Sequence, residues 1–191
     1  MSANEPTADA RDPAWVGEVL RFWFEELGAA QWFSKSDELD RGIRARFLAL
    51  HERILAGGIS GLTGPRTVLA AIVVLDQFSR NMFRDTPHAF SADSLARRLA
   101  RQAVAQGHDT GLTKEERLFL YLPFEHSEDR DDQALSVRLI GQLGHEGWTQ
   151  YALAHQSIID RFGRFPHRNA VLGRTSTTEE IALLQEPMGS F

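Results

Sequence analysis

Three groups of residues have types and spacings that could do chemistry. The first is Arg161-Phe-Gly-Arg-Phe-Pro-His-Arg-Asn-Ala-Val-Leu-Gly-Arg174. Four arginines, His167 and Asn169 fall within fourteen positions, and no acid follows before Glu179. Arg161, Arg164 and Arg168 offer forked, permanently charged donors. These suit a carboxylate or phosphate, whether on a ligand or on buried acids of the same chain. The second group is Pro123-Phe-Glu-His-Ser-Glu128. Glu125, His126 and Glu128 are residue types that ligate metals or exchange protons. The spacing is not His-Glu-x-x-His and no second histidine lies four residues away, so no metal site is expected. The third group is Asp76-Gln-Phe-Ser-Arg-Asn-Met-Phe-Arg84. Asp76 and Arg80 are four apart with the acid first, the favourable order for a helical ion pair. Gln77 and Asn81 repeat that spacing, and Arg84 lies a further turn on.

The elements that must position these groups read as helices. Asp12-Pro13 is an N-cap followed by proline at the first helical position. Trp15, Val16, Val19, Leu20, Trp23 and Phe24 then repeat at three and four. A second helix is expected from Ser36 or Asp37 to about Ala56, stopped by Gly57-Gly58. The third, over 66–83, is apolar on all sides across 68–75, which marks a helix buried all round. Ser91 is read as the N-cap of a fourth. Thr113 with Glu116 forms a capping box for a fifth, which Pro123 should kink or end. A sixth covers 131–143 and a seventh 146–162. Thr177 with Glu180 caps a short last helix. In the seventh, His155 sits on the apolar stripe, seven after Trp148 and seven before Phe162, so it should be buried and hydrogen-bonded.

No strand alternation or hairpin dipeptide stands out. The expected fold is all-α, one helical domain over 1–191 with residues 1–11 flexible. About seven or eight antiparallel helices form an array or bundle. Stacked helix pairs would give a tetratricopeptide-like superhelix, although no clean repeat of roughly 34 residues recurs.

Composition narrows the function classes. Hydrophobic residues are 42% and charged residues 25%, as in ordinary globular proteins. The net charge of −5 argues against a nucleic-acid partner. With no cysteine, disulfides, thiol catalysis and Cys-ligated metals are excluded. The longest apolar run, 68–75, falls short of the about 20 residues a membrane helix needs. The N-terminus lacks the basic start and apolar run of a signal peptide. The location expected is therefore cytoplasmic, with no membrane partner. No phosphate-binding loop, dinucleotide fingerprint or serine-nucleophile motif occurs, and no cofactor is expected.

The three polar groups, with Val19-Leu-Arg-Phe-Trp-Phe24 and Trp32-Phe33, together resemble a mainly bacterial family known as domain of unknown function 924. The resemblance covers almost the whole chain. It implies an all-helical, tetratricopeptide-like fold and carries no established activity.

The function expected first is a binding module whose pocket holds an anionic small molecule or a peptide group. Arg80, Arg84, Arg161, Arg164 and Arg168 would supply charge, and Asn81 and Asn169 directional bonds. Glu125, His126, Glu128, His155 and His167 would complete the lining. A hydrolase- or lyase-type enzyme with histidine and glutamate acid-base chemistry is the alternative. A structural or protein-interaction domain ordered by a buried arginine-acid network is the third reading. Because each polar group ends an apolar helix, the three are expected to converge in space.

Overall fold

The computed structural model describes residues 12–59 and 61–186, and the expectation for residues 1–11 lies outside them. The fold is all-α, and among the described residues there is no strand. Helix α1 (Ala14–Arg21) runs directly into a π-helical turn, Phe22–Glu26. Helix α2 (Asp37–Leu55) starts at Ser36, whose hydroxyl accepts from Leu39 N. Helix α3 (Pro65–Ile72), a π-helical segment (Val73–Phe78) and α4 (Ser79–Met82) follow one another without a break. They make one central rod.

That rod is buried as its composition requires. Residues 68–75 are all at most 5% exposed, and the core closes around them from α1, α2, α5 and α6. Burial of each large side chain here, such as Leu69, Ile72 or Leu75, contributes about 1.5–3 kcal/mol. The π segment was not expected. It changes the hydrogen-bond step from four to five and widens the helix. Its Phe78 meets Trp23, from the other π turn, edge to face at 5.5 Å.

Helix α5 spans Asp93–Ala105, α6 Lys114–Glu125, α7 Arg130–Gly141, α8 Glu146–Phe162 and α9 Thr178–Leu183. Both expected capping boxes form, at Thr113/Glu116 and Thr177/Glu180. Two readings need correction. Ser91 does not cap α5: its hydroxyl donates to His88 O, closing a 3-10 turn (Pro87–Phe90), and the helix begins two residues later. Pro123 does not end α6, which continues to Glu125 with Pro123 inside it. Helices α6, α7 and α8 pack in sequence through short connections. Helix α8 ends at Gly163, left-handed at φ 69°, and the chain turns through Pro166–Arg168 before α9. A small second cluster of Ile158, Ile159, Phe165 and Leu183 pins that turn.

Candidate functional site

The central rod, the C-terminal end of α6, the middle of α8 and the Pro166–Arg168 turn meet at one cavity of about 760 Å³. Arg80, Asn81 and Arg84 line it from the rod, Glu125 and His126 from α6, His155 from α8, and His167 and Arg168 from the turn. These are members of all three polar groups singled out in the sequence.

Asp76 anchors the floor. It is 1% exposed on an otherwise apolar rod, a costly position for a charge without partners. His126 Nδ1 lies 2.8 and 3.0 Å from its two oxygens, Gln77 Nε2 donates at 2.6 Å, and Arg80 is at 3.1 Å. Burial pushes its carboxyl up, but Arg80, then His126 and Gln77, outweigh that and hold it below the ordinary carboxylate range. Burial keeps His126 below the usual imidazole value despite Asp76 beside it. The pair is therefore a carboxylate accepting from a neutral imidazole. Nδ1 carries the proton and Nε2 the lone pair.

Beside it, Glu125 is 5% exposed. Burial, reinforced by the charge of Asp76, pushes its carboxyl up to about 8, so it keeps its proton at neutral pH. His155 Nδ1 stands 3.6 Å from Glu125 and donates to Tyr151 O at 2.9 Å. Burial brings His155 down to about 3. The contact between the two is thus between neutral groups. His155 is 5% exposed and hydrogen-bonded, as its place on the apolar stripe predicts. His167 is also lowered to about 3, by burial and then by Arg168.

The arginines divide by partner. Arg84 is held by Asp40 at 2.6 and 2.9 Å, and Asn81 donates to the same carboxylate at 2.8 Å. Arg80 forks onto Asp93 at 3.0 and 3.1 Å. Arg168 differs. It is 7% exposed, sandwiched between Phe90 and Phe165 at 4.8 and 4.5 Å from the ring centres. Its Nε is buried without an acceptor, and its nearest carboxylate oxygen, on Asp93, is 3.8 Å away. Burial, then repulsion from Arg80, lowers its pKa to about 10. It is still charged at neutral pH, yet poorly solvated.

Four of the sequence candidates lie away from this cavity. Arg161 is exposed and packs over Phe162. Arg164 forks onto Glu180 at 2.6 and 2.8 Å, holding that carboxyl down to about 2. Asn169 donates to Ser176 and Glu180. Glu128 is taken by Arg174 at 2.8 and 2.9 Å and by Phe165 N at 2.8 Å. It faces a smaller neighbouring cavity of about 260 Å³, which Arg168 and His126 also touch. These groups fix the turn that carries Arg168 and do not present charge to the main cavity.

Sequence reasoning missed the acids Asp40 and Asp93, which look like ordinary first-turn helix residues. Trp and Phe walls were expected without particular residues being assigned; the lining contains Trp32, Phe33, Phe90 and Trp148, together with Tyr151. Only the adjacent pair Trp32-Phe33, off any helical stripe, gave a signal. Among the described residues no group of three or more His, Asp or Glu side chains is placed to hold a metal ion, and no helix is long and apolar enough to cross a membrane.

The packed helices, with no strand among the described residues, define the class: an all-helical protein. Residues 19–188 match the bacterial proteins of unknown function grouped as DUF924, and the chain belongs to that family. A solved structure of a protein of unknown function, ATU0120 from Agrobacterium tumefaciens, is 38% identical. The match covers 90% of this chain and 97% of that one, with a TM-score of 0.85. No curated protein matches.

Proposed function

We propose that the protein is a binding module that holds a small anionic molecule, a carboxylate or a phosphate, in the cavity between its three polar groups. The observation that carries this reading is Arg168. A buried guanidinium must have its donors satisfied, and among the described residues Nε has no acceptor and Nη1 only a carboxylate at 3.8 Å. An anion entering the cavity would supply forked acceptors and relieve the charge that burial disfavours. The surrounding array is read as tetratricopeptide-like, with the cavity on its inner side.

The experiment is an NMR titration of the full chain with propionate and with inorganic phosphate, following the ring protons of His126, His155 and His167. Saturable shifts are expected, lost in Arg168→Gln. Shifts of equal size and affinity in the variant would remove Arg168 as the anchor.

A second reading, acid-base catalysis on the bound anion, is favoured by the Asp76–His126 pair. Asp76 orients an imidazole whose Nε2 is left as a base, and the neighbouring Glu125 is a proton donor at neutral pH. Chemical change of a bound compound that persists in His51→Gln and vanishes in His126→Gln would carry this reading over simple binding.

A further inference from the structure

The cavity is far larger than a lone carboxylate or phosphate requires. Its about 760 Å³ lies in the range, roughly 300–1,000 Å³, of sites that enclose a drug-sized ligand. We propose that its occupant is a molecule with a single anionic head on an aromatic body, the head at Arg168 and the body between the rings of the lining. This rests on the anion-binding reading above and adds the chemistry of the rest of the ligand.

The single head follows from how the cations are engaged. Arg80 and Arg84 are each forked onto a carboxylate, at Asp93 and Asp40, with distances of 2.6 to 3.1 Å. Drawing either onto a ligand would strand a part-buried acid. Arg168 has no such bond to break. A polyphosphate would need several buried cations in reach; the buried lining offers Arg168, with Asp76 and Asp93 close behind it, and the other unengaged cation of the lining, Lys35, is solvent-exposed.

The aromatic body follows from the other side chains of the lining. Trp32, Phe33, Trp148 and Tyr151 line the same cavity. Among the described residues, Phe33 at 63% and Tyr151 at 53% are the exposed aromatic side chains of this lining. Leaving such surface in water forgoes the stabilisation that burial would give. The rings are also held in place. Trp32 packs edge-on to Phe119 at 5.0 Å and donates to Trp23 O at 2.8 Å. Phe33 stacks on the same Phe119 at 6.0 Å, and Trp148 stacks on His145 at 4.0 Å. Prearranged ring faces bind another ring by offset stacking or edge contact, which a saturated chain cannot reproduce.

The test compares affinities of the full chain for propionate, 3-phenylpropionate, 3-cyclohexylpropionate, inorganic phosphate and phenyl phosphate, by NMR or calorimetry. Burial of one ring predicts that 3-phenylpropionate binds about ten-fold or more tighter than propionate, and phenyl phosphate likewise than phosphate. The cyclohexyl acid should fall between propionate and 3-phenylpropionate. The tighter of the two aryl compounds identifies the head group. Phe33→Ser with Trp148→Ala should erase most of the aryl gain and leave propionate unchanged. Phe33→Ser alone, at an exposed position, serves if the double variant does not fold. Equal affinities for propionate and its phenyl derivative would overturn the proposal while leaving the anion site standing. So would equal affinities for the phenyl and cyclohexyl acids. If no compound binds in an Arg168-dependent way, the anion-binding reading itself falls.

Discussion

Glu125 and His155 show how burial dominates protonation at this site, and they pull stability in opposite directions with pH. The folded pKa of Glu125, about 8, lies above its unfolded-chain value of 4.5, so the folded protein keeps a proton that the unfolded chain releases. That stabilisation is complete below about pH 4.5 and is lost as pH rises toward 8. His155 and His167 do the reverse. Their folded values of about 3 lie below the usual 6.5, so their contribution is complete above pH 6.5 and is lost as pH falls toward 3. Urea unfolding should therefore be hardest at a mildly acidic pH and weaken on both sides. Glu125→Gln should remove the decline between about pH 6.5 and 8, an effect of about 2 kcal/mol across that range. Parallel curves for the variant and the parent would show that Glu125 titrates normally. At this scale the sequence was partly legible. His155 stood out because an imidazole interrupts an apolar stripe. The proton on Glu125 could not be read, because it depends on Asp76, 49 residues earlier in the chain.

Helix ends carry the site, and most were readable because capping is local. Thr113 and Glu116 exchange bonds of 2.9 and 3.2 Å across three residues, so their spacing alone announces the helix start. The errors arose where a local rule had a rival. Ser91 has the right type for an N-cap, but its hydroxyl closes the preceding turn. The π segment Val73–Phe78 has no sequence signature, since its mixture of apolar residues with Asp76 and Gln77 fits an ordinary α-helix equally well. At the end of α8, Gly163 directs the chain toward Arg168, and its φ of 69° is a conformation that costs a side chain energy. A Cβ there would meet nothing within 4 Å, so the cost of Gly163→Ala is backbone strain alone. We expect a loss of about 1 kcal/mol, read as a lower urea midpoint with an unchanged slope. No loss would mean that the turn relaxes. In that case the variant should weaken anion binding instead, because Arg168 would move.

Across the whole molecule, the arginines of the polar groups and of the segment after α8 are dispersed among acids from other parts of the chain. Arg84 pairs with Asp40 over 44 positions, Arg174 with Glu128 over 46 and Arg164 with Glu180 over 16. Clustering in sequence thus overstated clustering in space. The convergence of the three polar groups could be anticipated, because polar residues ending apolar helices need one another or a ligand. Which arginine would be left poorly satisfied could not, since that depends on non-local pairing. The placement of the tryptophans has an optical consequence. Of the chain's four, Trp23 is fully buried in the core, whereas Trp32 and Trp148 line the cavity. Intrinsic emission should therefore contain a component shielded from acrylamide and a component open to quenching. A compound that occupies the cavity should protect the second and leave the first untouched. Trp148→Phe should remove much of the quenchable light, which would give the protein a built-in, label-free gauge of its own occupancy.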